Sequence, residues 1–323
     1  MNWNKYLLIF CIIIVITFAS IRDVNKRLYL VALEQAQQRE SVLSKMQEQV
    51  VEIDPKILID DHNNVIKEKP KTVIPRPYIT AESYLVANLK TGERYISNNP
   101  NKVFPIASVS KLYTALVVHH LFDLEKDITI TQEMLNAYGD AGHLVLGEKL
   151  KPDELLHALL LESSNDAAEA FAQSFGYDIF MEQMNAFAQE IGMHNTNFRD
   201  SSGMSPLNKS NASDLLALSR YLYSSEKGIL DISRKKDFSI STTTDHGSHL
   251  FISINPFSTK NNFIGGKTGR TEQAKEAMVS MFNVKIDEQE YPIAIIVLRS
   301  DFGERERNTE KLLNQFIEKI SKK

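Results

Sequence analysis

Residues 108–111 read Ser108-Val109-Ser110-Lys111 and run into residues 112–124, a segment that is apolar nearly all round. A helix of that composition is buried. Residues three apart on a helix share a face, so Lys111 sits against the Ser108 hydroxyl. A serine becomes a nucleophile when a base stands beside it. A lysine can be that base only when neutral, a state favoured by burial and by a second nearby cation. Ser-x-x-Lys alone is a weak signal, because it occurs by chance in many helices. Ser110 offers another hydroxyl but has no lysine three residues on.

Working outward, two further stretches carry matching chemistry. Ser163-Ser164-Asn165 follows Leu159-Leu160-Leu161-Glu162. In a loop, the Ser163 hydroxyl and the Asn165 amide can face one cleft, the first to relay a proton and the second to hold Lys111 and substrate. The plainer reading is a turn before a helix capped by Asn165 or Asp166. Gly265-Gly266-Lys267-Thr268-Gly269-Arg270 is the third stretch. Glycines on a strand let another backbone approach, so a peptide can add alongside as an extra strand. Lys267 then supplies charge for a terminal carboxylate and Thr268 a hydroxyl. The plainer reading is a glycine-rich hairpin turn. Ser163 and Lys267 lie 55 and 159 residues after Ser108, intervals that suit an inserted helical region and a return to a sheet.

The surrounding pattern supports that arrangement. Residues 83–88 and 93–97 read as two strands joined around Lys90-Thr91-Gly92. From residue 110 to about 225 the periodicity is helical, with Asp153 as the expected N-cap of one helix. Residues 279–286 and 291–299 read as paired strands, and 304–320 as a closing amphipathic helix. Strands, helices, strands and a last helix give an α+β class. The expected fold is an antiparallel sheet packed with the first and last segments, plus a helical insertion.

Ser-x-x-Lys, Ser-x-Asn and Lys-Thr-Gly in that order are the set shared by penicillin-binding proteins and class A β-lactamases. With Phe104-Pro105-Ile106-Ala107, Asn165-Asp166-Ala167-Ala168, Asp200-Ser201-Ser202-Gly203-Met204 and Ser213-Asp214, the chain resembles the low-molecular-mass penicillin-binding D-alanyl-D-alanine carboxypeptidases, the S11 serine peptidases. The resemblance implies a β-lactamase/DD-peptidase-like fold over residues 79–323 and no cofactor. It implies that Ser108 acylates with Lys111 as base, and that Ser163 and Asn165 shuttle protons and position substrate. Lys267 and Thr268 would bind the carboxylate in a site completed by Gly269 and Arg270. The N–H groups of Ser108 and Arg270 would form an oxyanion hole. The implied substrate is the stem peptide of peptidoglycan, with β-lactams as covalent inhibitors. The run Ala274-Lys275-Glu276 stands where the family usually has a glycine.

Before that domain lie three different segments. Residues 6–19 are almost wholly apolar and approach the length of a membrane helix. Phe18-Ala19-Ser20 makes a poor cleavage site, so residues 1–25 are expected to be an uncleaved anchor. Lys5 precedes the run, whereas Arg22, Lys26 and Arg27 follow it, and a positive-inside count puts the rear in the cytoplasm. The wall substrate lies outside the cell, which argues for the opposite orientation: a single-pass protein of the bacterial membrane with its catalytic domain outside. Residues 26–54 follow as a helical stalk. Its seam of Tyr29, Ala32, Ala36, Arg39, Leu43, Met46, Val50 and Ile53 allows weak coiled-coil self-association but suits a lone helix better. Residues 55–78, with Pro55, Pro70, Pro75 and Pro77, read as an extended linker.

Other functions fit less well. A net charge of −4 offers no basic face for nucleic acid. Cys11 is the sole cysteine, so no disulfide framework exists. His119, His120, His246 and His249 lack zinc-site spacing and read as surface or helix-face residues. A class A β-lactamase needs a glutamate to activate its deacylating water, and residues 193–210 contain none. An inactive wall-binding homologue is disfavoured because Ser108, Lys111 and Lys267 are all present. A D,D-endopeptidase that cuts cross-links uses the same machinery and stays open, because pockets rather than motifs define substrate.

Overall fold

The computed structural model describes residues 78–137 and 141–322, together with a separate pair of two-residue strands, Leu58–Ile59 and Val65–Ile66. The chain divides into two compact units, Met1–Ile74 and Pro75–Lys323. In the first, the short strands pair antiparallel inside the stretch read as an extended linker. The expected anchor and stalk lie outside the described residues. Among the described residues, no helix is long and apolar enough to cross a membrane.

The second unit is built on a five-stranded antiparallel sheet. Its strands are β1 (Ser83–Asn88), β2 (Arg94–Asn98), β5 (Phe263–Thr271), β6 (Lys275–Ile286) and β7 (Gln289–Ser300), in the order β5-β6-β7-β1-β2. Strands β3 (Asp237–Ile240) and β4 (His249–Ile252) form a hairpin apart from it. The pleat sends alternate side chains to opposite faces. Val86, Met278, Phe282, Ile295 and Val297 meet Leu312 and Phe316 of the last helix, α7 (Arg305–Ser321). Full burial of such a side chain stabilises by roughly 1.5–3 kcal/mol. Leu85, Ala87, Val279, Met281, Ile296 and Leu298 face the other way, into the helical insertion.

That insertion comprises α1 (Ser110–Leu121), α2 (Pro152–Leu161), α3 (Asn165–Phe175), α4 (Tyr177–Glu190), α5 (Ala212–Ser225) and α6 (Lys227–Ser233). Every residue of α1 from Ser110 to Val118 is buried, as its all-round apolar pattern requires.

The structure shifts several expected boundaries. Helix α2 starts with Pro152 after Lys151, not after Asp153, because the fixed φ of proline suits a first helical position. Its Glu154 carboxylate accepts the Lys151 N–H at 2.9 Å. The cap of α3 is Ser164, whose Oγ accepts the Ala167 N–H at 3.1 Å, rather than Asn165 or Asp166. Strand β6 begins four residues earlier than its apolar run, at Lys275. Glu276 interrupts the pattern there, yet it is buried because its carboxylate accepts the Gly303 N–H at 2.9 Å ahead of α7. His249 is buried instead of on the surface, with Nε2 3.0 Å from a Glu148 carboxylate oxygen.

Candidate active site

Ser108 sits in a single 3₁₀ turn, Ala107–Val109, that leads into α1. Ala107 has φ +49°, a conformation that non-glycine residues rarely adopt and that persists where the surroundings fix it. Two glycines do the fixing. A Cβ on Gly203, itself at φ +88°, would stand 2.0 Å from the Ala107 carbonyl oxygen. A Cβ on Gly269 would meet the Ile106 carbonyl oxygen at 2.7 Å and the Ser108 nitrogen at 3.1 Å. Hydrogen at both positions lets two segments, distant in sequence, touch the backbone of the nucleophile.

Lys111 is fully buried in the first turn of α1, three residues after Ser108. Its Nζ lies 3.0 Å from Ser108 Oγ, 2.7 Å from Asn165 Oδ1 and 2.6 Å from the Ser202 carbonyl oxygen. A neutral amine has two N–H bonds and one lone pair. Donation to Asn165 and Ser202 leaves the lone pair for the Ser108 hydroxyl proton. Burial pulls the Lys111 pKa down from its ordinary value to about 7, with the Asp200 charge acting in the opposite direction.

The loop that supplies Ser202 is itself fastened. The Asp200 carboxylate accepts the N–H groups of Ser202, Gly203, Met204 and Ser205, and Asn208 Nδ2 donates to the Asp200 carbonyl at 2.8 Å. Asp200 thus holds both the carbonyl on Lys111 and the glycine beneath Ala107. The sequence marks this loop only as a part of the resemblance. A carboxylate followed by small residues and glycine is a turn signature that carries no word of a lysine partner.

Ser163 follows α2 in the left-handed region, at φ +64°. Its Oγ accepts from Lys267 Nζ at 2.8 Å. The nitrogen of Lys267 also donates to the Thr268 carbonyl at 3.0 Å. Lys267 is buried, and its pKa is pushed well below the ordinary lysine value by desolvation, then by the charges of Lys111 and Arg305. Arg305, at the start of α7, was missed in the sequence. Its guanidinium donates to the Gly269 carbonyl at 3.1 Å, and its Nε is buried without a protein partner among the described residues. Nothing in its local sequence, on an exposed-looking helix, connects it with Lys267.

β5 is an edge strand. Its first half is covered, since the Gly266 N–H donates to Ser233 Oγ at 3.1 Å. The two-residue period puts the N–H groups of Thr268 and Arg270 on that same outer edge. Cross-strand register pairs Lys267 with Val279 and Gly269 with Ala277, on the face of the nucleophile. Thr268 pairs with Met278 and Arg270 with Glu276, so those side chains leave on the α7 face. The Arg270 guanidinium lies 5.0 Å from the Phe302 ring centre. The structure therefore brings together Ser108, Lys111, Ser163, Asn165, Lys267 and Gly269 by side chain or contact, and Thr268 and Arg270 through strand-edge backbone.

A serine hydroxyl on a buried amine, a second serine on a second amine and an open strand edge form the machinery of acyl transfer through a serine. The fold and this site are those of the serine DD-peptidase class. The chain belongs to the peptidase S11 family, described as D-alanyl-D-alanine carboxypeptidase, which it matches over residues 69–301. It is 36% identical over 161 residues to a D-alanyl-D-alanine endopeptidase of Escherichia coli (strain K12), covering 48% of this chain and 51% of that protein. It is 28% identical over 233 residues to a D-alanyl-D-alanine carboxypeptidase of Streptomyces sp. (strain K15), covering 65% of this chain and 79% of that one. The chain thus spans about half the length of the endopeptidase relatives it matches. In fold, it is similar to a crystal structure of D-alanyl-D-alanine carboxypeptidase from Mycobacterium tuberculosis H37Rv. That likeness has a TM-score of 0.67 at 24% identity and covers 77% of this chain and 95% of that one.

Proposed function

We propose that the protein is a serine-type D-alanyl-D-alanine carboxypeptidase that removes the terminal D-alanine from peptidoglycan stem peptides. The observation that carries this reading is the buried Lys111 amine, held by Asn165 and Ser202 at 3.0 Å from the Ser108 hydroxyl. Ser108 Oγ attacks the carbonyl between the two D-alanines and passes its proton to Lys111. The oxygen of the tetrahedral intermediate faces the N–H groups of Ser108 and Arg270. Lys267 already donates to Ser163 Oγ, which leaves the Ser163 proton free for the departing amine. The proton that Lys111 took from Ser108 is relayed to Ser163 in its place, and Lys111 returns to the neutral amine. Lys267 and Arg305 offer positive charge to the terminal carboxylate, beside the outward N–H of Thr268. Water then hydrolyses the acyl-serine, with Lys111 as the base. β-Lactams, which place a strained amide at the same carbonyl, would acylate Ser108.

The test is release of free D-alanine by the full chain from a peptide ending in D-Ala-D-Ala, beside Ser108→Ala. Release that disappears in the variant is the expected result. No release from folded wild-type protein would overturn the carboxypeptidase reading. A second reading, D,D-endopeptidase action on cross-links, draws support from the 36% identity to the Escherichia coli endopeptidase. Cleavage of cross-linked muropeptides without D-alanine release would favour it.

Residues 1–25 are proposed as an uncleaved membrane anchor, on the strength of the apolar run at 6–19. The stalk and linker would carry the catalytic unit to its substrate on the outer side of the bacterial membrane. Membrane fractions should hold the full chain at its full mass after an alkaline wash, with the catalytic unit open to protease from outside. Release by the wash, or protection from protease, would sink this arrangement.

A further inference from the structure

Ser163 occupies a backbone conformation that costs a non-glycine residue of order 1–3 kcal/mol and is kept only where neighbours over-determine it. Its Oγ bond to Lys267 is one restraint. The residue before it supplies another. One Glu162 carboxylate oxygen accepts the Gly142 N–H at 2.9 Å, and the other accepts the Ile252 N–H at 3.0 Å. These two amides belong to segments on separate parts of the chain, one preceding α2 and one at the end of β4. The β4 side is reinforced, since the Ile254 N–H donates to the Leu161 carbonyl at 3.0 Å. The Gly142 side is tight, because a Cβ there would stand 2.7 Å from Ser164 Oγ. Glu162 therefore ties both flanks to the peptide that enters Ser163.

We infer that Glu162 is a positioning residue for Ser163: its carboxylate fastens the two flanking segments so that the Ser163 hydroxyl stays aimed at the leaving amine. This inference rests on the acyl-transfer reading above. Gln at this position keeps one acceptor but turns an NH2 toward the other amide, and Ala removes both acceptors. The effect falls on proton delivery to the leaving group and passes through Ser163.

A double-mutant cycle separates this role from mere structural support. The readout is the rate of Ser108 acylation by a β-lactam, followed by intact mass on the full chain. Acylation needs the leaving nitrogen protonated, whichever wall bond the enzyme prefers. Glu162→Ala should slow acylation by about 10- to 100-fold, the scale of a general-acid contribution, and Glu162→Gln by less. On a Ser163→Ala background, Glu162→Ala should add less than about twofold, because the group it positions is already gone. An equal loss in both backgrounds, or no loss in either, would overturn the positioning role while wild-type acylation upholds the functional reading. Wild-type protein that forms no adduct would overturn that reading, and the role of Glu162 with it.

Discussion

Lys111, the proposed base, is a cation removed from water. Complete burial lowers its pKa to about 7, so near neutrality about half the molecules hold the free amine. Activity should rise with pH through about 7 as that proton leaves, with a single ionisation on the acidic side of the kcat/KM profile. A profile flat from pH 5 to 9 would argue against Lys111 as base. The same shift has a stability consequence. The unfolded chain holds its lysine proton up to about pH 10.5, whereas the folded site gives it up near 7. Between those values the unfolded state binds more protons, and this site's contribution to stability rises with pH. Lys267 shifts in the same direction. Its Nζ stands between Ser163 and the strand edge, so Lys267→Ala should raise KM for D-Ala-D-Ala peptides on the order of 10- to 100-fold while the fold survives. Unchanged kinetics would remove it from carboxylate recognition.

At the scale of elements, the site is a meeting of four pieces: the turn before α1, the loop after α2, the Asp200 loop and the edge strand β5. Gly203 and Gly269 are the contact points. Gly203→Ala puts a methyl group into the Ala107 carbonyl and forces a left-handed alanine. It should destabilise by about 1–3 kcal/mol and slow acylation of Ser108 at least ~10-fold. Thermal unfolding together with intact mass after β-lactam treatment would check this, and a variant with wild-type stability and acylation would refute the close approach. Strand β5 needs its outer edge open only past Gly266, because Ser233 closes the earlier part. A substrate strand bound as proposed would thereby be directed to Thr268–Arg270, beside Ser108.

For the whole molecule, the sheet divides two cores. One lies under α7 and the other under the helical insertion, and the proposed catalytic groups emerge where β5 and α1 meet at the margin of the second. A buried polar cluster in such a place strains stability. Lys111 and Lys267 lose hydration, and the cost is partly offset by their hydrogen bonds to Asn165, Ser202, Ser163 and Thr268. Natural enzymes accept this where activity requires it. The unit Pro75–Lys323 holds all of this machinery, and the proposed anchor and stalk would set only its place in the cell.

The sequence alone pointed to the class of chemistry, because three motifs stand in order and a spacing of three puts Lys111 against Ser108, which is a local property. It also pointed to the α+β order and to four of the five sheet strands, which stand out as short runs bounded by polar turn residues. The two other motifs became part of a site only through their company, since Ser163-Ser164-Asn165 and Lys267-Thr268-Gly269 have ordinary local readings. Tertiary structure decided what no local pattern encodes. It put the Ser202 carbonyl on Lys111, turned the Thr268 and Arg270 side chains away from the nucleophile, and brought Arg305 of the last helix to Gly269. It also gave Glu162 two amides from separate segments and buried Glu276 and His249 where the pattern looked exposed. Each of these depends on long-range packing that sets burial and hydrogen-bond partners. Periodicity records which face of an element is apolar, but not which distant element will cover it.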